Sequence, residues 1–159
     1  MKKLKLYLET PVWNFCFADD APEKRDITLK FFDEIESEEY EIFISGIVLQ
    51  EIDESDYEKR DLLLETIEKY NPENLIINEK VSLLAREYIS EGILSVNSFE
   101  DAVHAALATV YEMDALISWN LKHLANLRKM ERINDVNRNK GYFKRLELIT
   151  PMEVSNAEI

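Results

Sequence analysis

Four residues spread along the chain, Glu9, Glu51, Asp101 and Asn120, could act together as one chemical site. Asp101 falls in the first turn of Phe99–Met113, a stretch apolar on most faces. A helix that apolar belongs inside a protein. A carboxylate beside buried surface is costly unless it is paired, hydrogen-bonded or bound to a metal. The run Ala115-Leu116-Ile117 that follows suits a central strand. It leads into Ser118 and Asn120, small polar groups at a strand's C-terminal edge, where open α/β sheets bind ligands. Glu9 closes an earlier strand, Leu4–Leu8, and Glu51 lies on the helix after the strand around Ile42-Phe43-Ile44. Carboxylates gathered at such an edge repel one another, and a cation is what holds them together. Hard oxygen donors without Cys or His select Mg²⁺ or Mn²⁺. A centre of that kind suits phosphodiester hydrolysis, with metal activating water and stabilising the departing oxygen.

Each residue also has an ordinary reading. Ser98–Asp101 fits a capping pattern, Asn97–Glu100 offers a second one, and a first-turn carboxylate suits the helix dipole. Glu9 could be a strand-end surface residue, Glu51 a solvated helix residue and Asn120 a turn former. His123, three residues beyond Asn120, could contact phosphate or assist proton transfer, or could be a helix-cap or surface histidine. Trp119 could stack a base but fits better as a strand-end core residue. His104, on an alanine-rich helix face, reads as a satisfied, partly buried side chain rather than a ligand.

The elements that must position these groups follow from hydrophobic periodicity. Strands are expected at Leu4–Leu8, 41–45, 75–77, 115–117 and 146–149. Helices or helical turns are expected at 12–17, 27–35, 46–52 (with Ser45 as a cap), 61–70, 81–89, 99–113 and 124–139. Strands alternating with helices, without hairpin turn signals, predict an α/β fold around a mostly parallel sheet. At 159 residues, one domain over 1–150 is expected, with a loose tail over 151–159. Apolar residues make up 46% and aromatics 10%, globular values, and the single cysteine, Cys16, excludes an intramolecular disulfide framework. With three Gly there is no phosphate-cradling glycine loop, and two His are too few for a zinc cluster. The basic start is interrupted by Lys5 and Glu9, so it does not read as a signal peptide, and nothing later reads as a membrane span. A cytoplasmic location is expected.

Taken in order, YLET, ISGIVLQEI, SFEDAVHAALA and LISWNLKHL resemble the PIN-domain nucleases, and most of all the small VapC-type toxins of toxin–antitoxin pairs. The resemblance runs from Leu6 to about Thr150. It implies a three-layer α/β sandwich around a parallel sheet, a Mg²⁺- or Mn²⁺-dependent ribonuclease acting on RNA, an antitoxin protein partner and a homodimer. It places Glu9, Glu51 and Asp101 at the first three acidic ligand positions, and Thr10 and Ser118 at hydroxyl positions beside them. Asn120 stands where a fourth acidic residue is usual, and Glu9 where the family usually has Asp. Glu is one methylene longer and can still ligate, whereas Asn120 brings an oxygen but no charge. These two departures support an alternative: a catalytically weakened PIN-like module for RNA binding or protein interaction. Another metal-dependent α/β enzyme, such as a phosphatase, is a second alternative.

The formal charge of −13 argues against indiscriminate nucleic-acid binding. It is unevenly spread: Leu121–Arg145 holds eight basic residues against two acidic ones, so the segment carries +6 and the rest of the chain −19. Within it Lys122 and Arg128 lie nearest Asn120 in sequence and are candidates for holding phosphates. The competing reading is a solvated helix that neutralises the acidic body or meets a partner chain.

Overall fold

A computed structural model describes residues 3–37 and 39–155. Five strands form its sheet: β1 (Leu4–Leu8), β2 (Tyr40–Ser45), β3 (Glu73–Leu75), β4 (Ala115–Ile117) and β5 (Glu147–Ile149). Every neighbouring pair is parallel, in the order β3-β2-β1-β4-β5. Strands buried on both faces read as continuous apolar runs, and Leu6-Tyr7-Leu8 and Ala115-Leu116-Ile117 are such runs. The period of two then divides them. Tyr7, Phe43, Leu116 and Leu148 face one core, while Leu6, Leu8, Ile42, Ile44, Ala115 and Ile117 face the other.

The first core is covered by α5 (Glu79–Ser90), α6 (Phe99–Val110) and α7 (Leu127–Asn139). The second is covered by α1 (Thr10–Asn14), α2 (Pro22–Glu36), α3 (Gly46–Asp53), α4 (Tyr57–Tyr70) and α8 (Pro151–Ser155). The result is the expected three-layer α/β arrangement, with an all-parallel sheet. The chain leaves β1 toward β2 on one side and later returns to place β4 on the other. The reversal of strand order between β1 and β4 is the switch point at which such sheets form a ligand crevice.

Three local expectations are corrected. The third strand lies two residues earlier than expected, because Ile76 and Ile77 are exposed and only Leu75 is buried. The last long helix begins at Leu127 rather than Leu124, where the Asn126 side chain caps it by accepting from the Lys129 N–H at 3.2 Å. The chain after Pro151 is not loose as far as residue 155. It forms α8, and Val154 joins the core beneath α2. No helix among the described residues is long and apolar enough to cross a membrane.

Candidate active site

Strand register brings the first components together. Leu8 pairs with Ile117, so Glu9 and Ser118 emerge side by side at the C-terminal edge. The Glu9 N–H donates to the Ile117 carbonyl at 3.3 Å, and Glu9 Oε1 accepts from the Trp119 N–H at 3.1 Å. This leaves a carboxylate only 2% exposed. From β1 the chain turns straight into α1, and Thr10 Oγ1 donates to Glu51 Oε1 at 2.8 Å. Glu51 reaches that point from the second turn of α3, which starts where β2 ends.

Asp101 arrives from the opposite direction. A helix leading into a parallel strand runs back against the sheet, so the start of α6 lies at the strands' C-terminal edge. There Asn120 Nδ2 donates to Asp101 Oδ2 at 3.2 Å. Asn120 is itself fixed at both ends: its N–H donates to Ser118 Oγ at 2.8 Å, and its Oδ1 accepts from the His123 N–H at 3.0 Å. It is a turn residue whose amide also reaches Asp101.

The carboxyls feel one another. Burial pushes Glu9 well above the ordinary carboxylate range, and the charges of Asp101 and Glu51 push it further, against the Trp119 and Ser118 hydrogen bonds. Burial likewise raises Asp101, with Glu51 adding to it and with His104, His123 and Asn120 opposing. Burial would also raise Glu51, but hydrogen bonds from His104 and Thr10 outweigh it and hold this carboxyl below its usual range. Glu100, raised by partial burial and by Glu51, shares a hydrogen bond with Glu51. The expected acids Glu9, Glu51 and Asp101 therefore lie within electrostatic reach of one another at the C-terminal edge of the sheet, beside Asn120, with Glu100 next to Glu51.

Several assignments are refined. Ser98 makes no side-chain cap on α6, and Asp101 is engaged with Asn120, so capping does not account for this carboxylate. Ser45 sits at the start of α3 without capping it, and its hydroxyl bonds to Tyr7 instead. Trp119 is a core residue with its ring N–H on Thr28 at 2.9 Å. His104 is satisfied, as read from the sequence, but it is fully rather than partly buried, and one of the groups it satisfies is Glu51. The signal available for it was spacing: His104 is three residues after Asp101, on one helix face. Tyr7 and Ser45 gave no signal, because a strand tyrosine and a strand-end serine look ordinary.

The basic segment is largely engaged with the protein itself. Arg138 pairs with Asp135, Lys140 with Glu87, Lys144 with Asp114, and Arg145 with Glu131 and Glu147. Lys129 and Arg132 donate to the Ile93 and Glu91 carbonyls near the end of α5. Lys122 and Arg128 are exposed near the Asn120 turn. His123 is half-buried there, and its Nδ1 is enclosed without a hydrogen-bond partner among the described residues.

The donor set consists of hard oxygens, as an Mg²⁺ or Mn²⁺ site requires. Among the described residues no three His, Cys, Asp or Glu side chains already converge closely enough to hold a metal ion. One oxygen each of Glu9, Glu51 and Asp101 is taken by a protein donor. The groups fit a cation by chemistry and by mutual repulsion, with side-chain rotation needed to close on it.

The fold is PIN-like. It is similar to a chain in the crystal structure of VapBC2 from Rickettsia felis bound to a DNA fragment from their promoter. The match has a TM-score of 0.54 and 20% identity, and covers 75% of this chain and 90% of that one. No protein-family model and no curated protein sequence matches the chain.

Proposed function

We propose that this protein is a Mg²⁺- or Mn²⁺-dependent endoribonuclease of the PIN type, acting as the toxin of a toxin–antitoxin pair. The observation that carries the reading is the meeting of Glu9, Glu51 and Asp101 at the β1/β4 switch point of a PIN-like sheet. Glu9 and Asp101 would hold the cation, with Glu51 beside them. When bound, the cation would activate water and stabilise the departing oxygen. Asn120 keeps Asp101 turned into the crevice. Thr10 and Ser118, at the hydroxyl positions beside the acids, have their hydroxyls on Glu51 and on the Asn120 backbone, and Ser118 also bonds Glu9. Lys122 and Arg128 supply positive charge for RNA phosphates, and His123, half-buried in the same stretch of chain, belongs to this reading as a substrate contact. The VapBC2 assembly supports an antitoxin as partner. A homodimer and a cytoplasmic location belong to the same reading.

One observation favours the non-catalytic alternative: the Asn120 amide satisfies Asp101 without any cation. Cleavage decides between them. A circular RNA, which lacks ends, should be cut by the parent in Mg²⁺ or Mn²⁺ and left intact in EDTA. Since changes one step removed from a metal typically cost 10–100-fold, Asp101→Asn should lose at least about 100-fold. Metal-independent binding without cleavage would establish the interaction module.

A further inference from the structure

The face of β1 turned toward α6 carries a chain of enclosed polar groups that leads to the crevice. The Tyr7 hydroxyl stands 2.8 Å from Ser45 Oγ and 2.7 Å from His104 Nδ1. The other ring nitrogen, His104 Nε2, stands 3.2 Å from Glu51 Oε1, the oxygen that also accepts from Thr10 at 2.8 Å. Tyr7, Ser45 and His104 are at most 2% exposed, so their polar atoms must be satisfied by one another.

The donors can be assigned by elimination. Glu51 Oε1 already accepts from the Thr10 hydroxyl at 2.8 Å, so it faces His104 as an acceptor. A bare Nε2 there would set lone pair against lone pair, so Nε2 carries the proton. In the one-proton form of the ring, Nδ1 accepts from the Tyr7 hydroxyl. The single Tyr7 proton is then used, and Ser45 donates to the Tyr7 oxygen. The bonds run one way, from Ser45 to Tyr7 to His104 to Glu51.

We propose that His104 is a positioning residue for Glu51: the Ser45–Tyr7 pair holds its ring in place through Nδ1, and the Nε2–H fixes the carboxylate at the sheet edge. A free Glu side chain loses rotamer entropy on being fixed. With His104 and Thr10 on one oxygen, the carboxylate is ordered before any ligand arrives. The proposal rests on the reading of Glu51 as part of the metal site. It adds a readout that needs neither metal nor RNA.

The test uses the full chain labelled with ¹⁵N at histidine, in EDTA, with the His104 signals assigned by their loss in His104→Gln. The expected spectrum has a bare Nδ1 and a protonated Nε2. Tyr7→Phe, which removes the donor to Nδ1, should shift the Nδ1 signal and weaken Mn²⁺ binding about tenfold, the lower end for a partner one step removed from a ligand. Should that variant fail to fold, Ser45→Ala carries the same comparison. His104→Gln, which retains a side-chain N–H for Glu51, should keep more Mn²⁺ affinity than His104→Leu. A protonated Nδ1 in the parent, alone or together with Nε2, overturns the proposal. Unchanged Mn²⁺ affinity in both Tyr7→Phe and Ser45→Ala does so as well. A parent that binds no Mn²⁺ overturns the metal reading and the positioning role with it, whereas a protonated Nδ1 with intact Mn²⁺ binding overturns the relay alone.

Discussion

At the scale of single residues, Asn120 shows how a neutral side chain can stand among acids. Its amide donates to Asp101 and accepts from the His123 backbone, so both ends are used. Asn120→Asp is isosteric but turns the donor into an acceptor 3.2 Å from another carboxylate. Losing that bond and leaving a half-buried carboxylate unsatisfied should cost about 1–3 kcal/mol in EDTA. A divalent cation removes the repulsion, so saturating Mn²⁺ should raise the melting temperature of the variant more than that of the parent. Equal melting temperatures in EDTA would mean that the Asn120–Asp101 hydrogen bond carries no weight.

At the scale of elements, the sheet was legible because its strands are buried on both faces and so form short apolar runs. Leu4–Leu8 and Ala115–Ile117 have the bounds read from the sequence. The third strand misled because Ile76 and Ile77 are more apolar than the Glu73-Asn74 pair that hydrogen-bonds to β2. Periodicity reports burial, whereas strand pairing is a backbone property that a polar edge residue meets equally well. The C-terminal helix was missed because five residues are too few to show a period, and only the burial of Val154 against α2 reveals it. The acids were legible through their places at element ends. The Ser45–Tyr7–His104 chain was not, because its members come from three elements and meet only when β1, β2 and α6 pack.

At the scale of the whole molecule, charge decides how RNA could approach a body of net charge −13. Most of the basic segment pairs with neighbouring acids and carbonyls, which leaves the exposed Lys122 and Arg128, two and eight residues beyond Asn120. Removing one cation from an RNA phosphate should reduce the slope of log affinity against log salt by about 0.7 for a single strand. Lys122→Gln with Arg128→Gln should therefore flatten the slope by about 1.4 in EDTA, where RNA is bound but not cut. Arg138→Gln with Arg145→Gln, which breaks internal ion pairs, should leave it unchanged. The reverse pattern would move the RNA path to the far end of α7. The central claim, that Glu9, Glu51 and Asp101 form one cation site, is tested most directly by melting the parent and Asp101→Asn across a Mn²⁺ titration against EDTA. Binding to the folded state alone stabilises it by about 2.7 kcal/mol at a hundred times the Kd. The parent should show a rise of that order and Asp101→Asn none, whereas the same Mn²⁺-dependent rise in both would contradict the site.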